Sequence, residues 1–289
     1  MAMSTESTSR PFRFLPFGLR DIRRALRTGW GVFLALPGPS LALGALFTSI
    51  GIALLLAITL LGASPLALVL AGGFLLIGPA LLAGFFALYL RHEQGEAARI
   101  KDALRGFTAA GSGFWVVAGL CVFLFLVWLT DTGVLYAFQI GAGPLTEGPA
   151  GSWGWSGLHP GVRRFALWSS PVGAFLALGL YLVTAFSVPL LFERRAGVIT
   201  AIHASVRAVW GNLGSALVWA LIIALGILCG ILIPPLLVAT LPVLAYGSFV
   251  LYRIAFPFGP DERRRPTGFH SGIADEREPQ VGLGPNSEV

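Results

Sequence analysis

Along this chain, runs of roughly 20 apolar residues alternate with short segments in which arginine recurs at helical spacing. The first such segment starts at Phe17. Leu19, Ile22 and Leu26 fall on one helical face and Arg20, Arg23, Arg24 and Arg27 on the other, which predicts an amphipathic helix lying in the headgroup layer of a membrane. Pro37-Gly38-Pro39 then predicts a bend, because each proline removes a backbone donor and fixes φ. Spans are expected over 40–61, 66–90, 112–130 and 172–191, with Gly78-Pro79 and Pro189 as candidate helix breaks. The stretch 214–256 carries only Arg253 as a charge, and Pro234-Pro235 divides it into spans five and six. Residues 1–16 and 257–289 read as a disordered leader and tail, without a cleavable signal sequence. Between spans three and four, 131–162 reads as an outer loop that dips toward the interface through Tyr136, Trp153 and Trp155.

The basic segments share a frame. Ile22 to Arg27, Ile100 to Arg105 and Ile202 to Arg207 each read Ile-x-x-(Ala or Ser)-(Leu or Val)-Arg, and Gly95 and Gly197 each stand five residues before the second and third Ile. Each copy precedes an apolar run. The expected fold is therefore all-α: a polytopic membrane protein with six transmembrane helices arranged as three hairpins, each preceded by a cytoplasmic interfacial helix, within one membrane domain over 17–256.

Composition agrees with that class. The chain is 55% hydrophobic and 12% charged with mean hydropathy +0.78, against about 25% charged residues in soluble proteins. A net charge of +6 raises nucleic acid as a partner, but the arginines sit beside apolar runs, so a membrane surface explains them and no nucleic acid is expected. On this topology 18 of the 20 Lys and Arg residues lie on one side, and only Arg163 and Arg164 on the other. The positive-inside rule then places both termini in the cytoplasm of a bacterial inner (plasma) membrane. Cys121 and Cys229 fall inside spans and read as small apolar residues.

Three stretches, "GGFLLIGPALLAGFFALYLRHEQGE", "FSVPLLFERRAGVITAIHASVRAVWGNLGSALVWALI" and "LPVLAYGSFVLYR", resemble the bacterial predicted integral membrane proteins catalogued as domain of unknown function 2189, over about Leu19 to Arg253. The resemblance implies a polytopic inner-membrane protein without an established biochemical activity. In that family the last span commonly ends with His residues around a Tyr-Arg pair; here Tyr252-Arg253 stand with Tyr246 and Val250 as neighbours.

Catalytic and redox chemistry find little support in the residues. His92, His203 and His270 lie in cytoplasmic segments and His159 in the outer loop, so no haem, metal or other cofactor is expected. Ser169-Ser170, His159 and Asp131 share the outer side without a hydrolase motif, and the chain does not read as an enzyme. The expected spans lack an ionisable residue at mid-depth; Asp131 and Glu193 mark span edges and read as stop signals. Gly226-x3-Gly230 and Ser40-x3-Gly44-x3-Thr48 are small-residue faces for packing within the bundle or for a homo-oligomer. Arg20, Arg23, Arg24, Arg27, Arg105 and Arg207 are the candidate binding residues, for the headgroups of anionic membrane lipids. The leading reading is a non-catalytic membrane scaffold or adaptor with a basic lipid-facing side. The alternative is a transporter of an uncharged or lipid-like solute, which Pro-broken helices would serve.

Overall fold

A computed structural model describes residues 14–60, 78, 81–139 and 160–258, and every regular element among them is helical. In chain order these are α1 (Leu19–Ala35), α2 (Pro37–Leu60), α3 (described over 81–93), α4 (Ile100–Ala109), α5 (Ser112–Gln139), α6 (Pro160–Phe192), α7 (Val198–Gly211), α8 (Leu213–Leu232) and α9 (Pro234–Ala255). Five of them, α2, α5, α6, α8 and α9, are long and apolar enough to cross a membrane. Most of the second expected span, 66–77 and 79–80, lies outside the described residues, as do Pro79, Trp153, Trp155, 1–13 and 259–289.

The prolines act differently from one another. Leu36 interrupts the helix between α1 and α2, and Pro37 opens α2 where no amide donor is needed. Ile233 does the same between α8 and α9, with Pro234 and Pro235 in the first turn of α9. Pro189, expected as a break, lies inside α6, which runs on to Phe192. It sits within a turn of the helix end and is buried, where packing against neighbouring helices lets the helix continue past it. The expected bounds of spans three and four also shift. α5 continues through Asp131 to Gln139 and α6 begins at Pro160, so the segment read as a long outer loop is helical at both ends. At 1.5 Å per residue α6 is about 50 Å long, more than a hydrocarbon core of about 30 Å requires.

α9 is the centre of the bundle: 61% of its 18-residue apolar stretch is buried, against 22% for that of α8. α8 packs beside it antiparallel, Gly230 against Leu237 and Gly226 against Leu244. α1 and α2 cover another side, where a Cβ on Gly29 would stand 2.7 Å from the Val243 carbonyl oxygen and one on Gly44 2.4 Å from that of Val238. Ser40 in α2 completes the contact with a 2.7 Å hydrogen bond to the Tyr246 hydroxyl. Both small-residue faces seen in the sequence are thus occupied within the chain, against α9.

The three short helices pack alike. Each folds back along a longer one at the small residue of its frame: Ala25 of α1 against Gly247 of α9, Ser205 of α7 against α6, and α4 against α3, where Ala103 is fully buried and Gly106 meets the Ala83 carbonyl. The Ser205 hydroxyl donates to the Leu182 carbonyl and accepts from the Phe186 amide. The expectation that α1 lies on lipid by its apolar face is therefore corrected, since Ile22, Ala25, Gly29, Val32 and Phe33 are buried in protein. The shared glycines part company as well. Gly95, at φ 72, closes α3 in a Schellman turn with its amide on His92 and that of Glu96 on Arg91, whereas Gly197 is extended and starts α7. The counterpart of Gly95 after α6 is Arg194, at φ 55.

Because Gly44 meets backbone rather than a movable side chain, Gly44→Val should destabilise the detergent-solubilised protein by about 1–3 kcal/mol. Gly31→Ala, at a position with open space around it, should leave the thermal midpoint unchanged or slightly raised.

Candidate functional site

One end of the bundle gathers the polar groups that hydrophobic patterning leaves over. The chain enters there, with the Leu15 amide bonded to the Ala255 carbonyl at 2.8 Å and the Phe17 amide to the Asn212 side chain at 3.1 Å. Ordered contacts thus begin before residue 17, and they extend past 256: Pro257 accepts from Arg195, and the Phe258 ring lies 4.4 Å from both the Arg195 and the Arg253 guanidinium.

Glu193 sits at the heart of this cluster. It is the C-cap of α6, and the left-handed turn at Arg194 keeps its side chain against α9, where it is 2% exposed. The Tyr252 hydroxyl donates to one carboxylate oxygen at 2.6 Å and Arg253 binds the other. Arg195 reaches the same Tyr252 oxygen at 2.9 Å and the Phe256 carbonyl at 2.8 Å, while Arg253 also reaches Glu93 at 3.3 Å. Burial pushes the Glu193 carboxyl above the ordinary carboxylate range; Arg253, the Tyr252 hydroxyl and Arg195 pull it back only in part. A carboxylate at a helix C-terminus also opposes the helix dipole, which the two arginines offset. A second, more open set ties α3 to α4: Arg91 binds Glu96 and lies 3.7 Å from Asp102.

By sequence Glu193 stands at a span edge and reads as a stop signal; its role as a buried anchor is not visible there. The pairing of "FERR" after one span with "YR" at the end of another was the available signal, but only the fold brings them together.

The six candidate lipid-binding arginines all lie on exposed surfaces, Arg20, Arg23, Arg24 and Arg27 on α1, Arg105 on α4 and Arg207 on α7. The four on α1 form one strip. Arg105 lies 3.9 Å from Asp102. Large apolar side chains are exposed beside them: Leu19 and Trp30 on α1, Leu104 on α4, Ile199 and Trp210 on α7.

Deeper in the bundle, α3, α6, α8 and α9 enclose a cavity of about 460 Å³. Phe85, Phe86, Thr184, Trp219 and Leu244 line its interior, and exposed Leu178 of α6 and Leu221 of α8 its outer edge. Two of the three hydroxyls on its wall are engaged, Tyr181 donating to the Ala216 carbonyl at 2.9 Å and Thr184 to that of Leu180 at 2.8 Å; the third belongs to Ser248 of α9.

A bundle whose helices α2, α5 and α8 turn mostly apolar surface outward is that of an integral membrane protein with several spanning helices. The family described as Predicted integral membrane protein (DUF2189) matches residues 66–193, a narrower stretch than the resemblance read from the sequence, ending on Glu193 itself. No curated protein and no solved structure matches the chain.

Burial of Glu193 predicts a pH dependence. With the native carboxyl titrating above the free value of about 4.3, its contribution is fully present below that value and is lost as pH rises through the native one. The thermal midpoint of the protein relative to Glu193→Gln should therefore fall as pH rises across that window. A relative gain would show the Arg253 pair outweighing burial.

Proposed function

We propose that this protein is a non-catalytic membrane scaffold or adaptor of a bacterial inner membrane, whose basic end engages the headgroups of anionic lipids. The observation that carries this reading is the residue left outside once each short helix has packed. On α1, α4 and α7 alike it is arginine beside a large apolar side chain, a combination suited to the boundary between headgroups and acyl chains. The lipid contact thus falls to the arginine face, since the opposite face is used by the protein.

The same reading takes the chain as three related units with six spans and both termini in the cytoplasm. Each unit begins with a short helix seated on the second span of the unit before it, with α1 closing the circle on α9. The count of basic residues and the repeated small-residue contact support this arrangement. A second reading, carriage of an uncharged or lipid-like solute, draws on the apolar cavity between spans. Substrate-dependent flux in liposomes separates the two: saturable flux of such a solute favours the carrier, and none across a broad panel favours the scaffold.

Each arginine near an anionic surface contributes about 1 kcal/mol. Replacing Arg20, Arg23, Arg24 and Arg27 by Gln in the full chain should therefore weaken retention of phosphatidylglycerol at least tenfold in a lipid-exchange titration and leave phosphatidylcholine unaffected. Equal loss for both lipids, or for neither, contradicts the proposal.

A further inference from the structure

We infer that the cavity between α3, α6, α8 and α9 is a binding site for one acyl chain of a membrane phospholipid, which enters sideways between α6 and α8. The inference rests on the bundle lying in a bilayer, and holds whether the protein acts as scaffold or carrier.

The chemistry of the wall selects the ligand. At about 460 Å³ the cavity lies within the usual range for small-molecule sites, roughly 300–1,000 Å³. Its lining is almost wholly aliphatic and aromatic, and the hydroxyls of Tyr181 and Thr184 are already donated to the Ala216 and Leu180 carbonyls. That leaves the single hydroxyl of Ser248, fewer polar partners than a water or polar solute needs. Water needs two to four polar partners to occupy a cavity, and a polar solute needs as many. A hydrocarbon chain needs none.

The route follows from exposure. Along α6 and α8, lining residues pass from exposed Leu178, Leu217 and Leu221 to buried Thr184, Trp219 and Ile227. The cavity therefore opens on the outer surface of the bundle, between two helices that touch at few places and are tied where Tyr181 meets Ala216. In a bilayer the medium at that opening is acyl chain. Alanines at 177, 185, 220 and 224 keep the passage wide, where larger residues would fill it.

The test uses the full chain reconstituted in vesicles doped with a phospholipid carrying a diazirine midway along one acyl chain. After photolysis, adducts are mapped by mass spectrometry. Adducts are expected on buried Thr184 and Trp219 as well as on exposed Phe123 of α5. Ala220→Phe should reduce the interior adducts at least tenfold while leaving those on Phe123 unchanged; Ala177→Phe, on the opposite wall, serves if that variant does not fold. Adducts confined to outward-facing residues would overturn the inference, as would interior adducts that persist in a folded, filled variant. Interior labelling by a free diazirine fatty acid but not by the phospholipid would overturn it too.

Discussion

The structure depends on small residues that let one helix backbone rest on another. Where Ala25, Ala103 and Ser205 occur, a short helix lies along a longer one; where Gly29 and Gly44 occur, α1 and α2 close on α9 with no room for a Cβ. Inside hydrocarbon there is no hydrophobic force to bring helices together, so this closeness and the dispersion it yields must hold them. The central helix α9 is accordingly the most enclosed of the five long apolar helices, and glycines stand on both sides of its contacts, Gly29 and Gly44 on its partners and Gly247 on α9 itself.

The same enclosure explains the ionic cluster. Packing α6 against α9 draws the C-cap of one helix onto the last turn of the other, where backbone carbonyls end and water is scarce. A carboxylate there is costly alone and tolerable only when its oxygens are met, which Tyr252 and Arg253 do. Removing one partner would strand the other, so the pair acts as a requirement of register between the two helices as much as a source of stability.

Much of this was legible in the sequence. The apolar runs mark the membrane class, Pro37 and Pro234-Pro235 two of the joints, and the Ile-x-x-(Ala or Ser) frame the three short helices, though not the contact in which its small residue is buried each time. What escaped was set by tertiary packing. Amphipathicity does not distinguish an apolar face that meets lipid from one that meets protein, so from sequence α1 reads as lying on the membrane by that face. Pro189 reads as a break until its neighbours are known. Gly95 and Gly197 align by spacing, yet one ends a helix and the other begins one, and the left-handed turn that matches Gly95 is made by Arg194, which no residue preference would pick. Glu193 was visible only as an edge charge, because its partners lie some sixty positions away.

The repeated contact, taken with the proposed topology, requires α1, α4 and α7 to lie on one side of the membrane and the start of α6 on the other. Single cysteines at Leu19, Leu104, Ile199 and Arg164, in a chain with Cys121 and Cys229 replaced by Ala, can be probed with a membrane-impermeant maleimide on intact cells. Labelling is expected at 164 before the membrane is opened, and at 19, 104 and 199 only afterwards. Labelling of any of those three from outside, or of all four together, would contradict that topology.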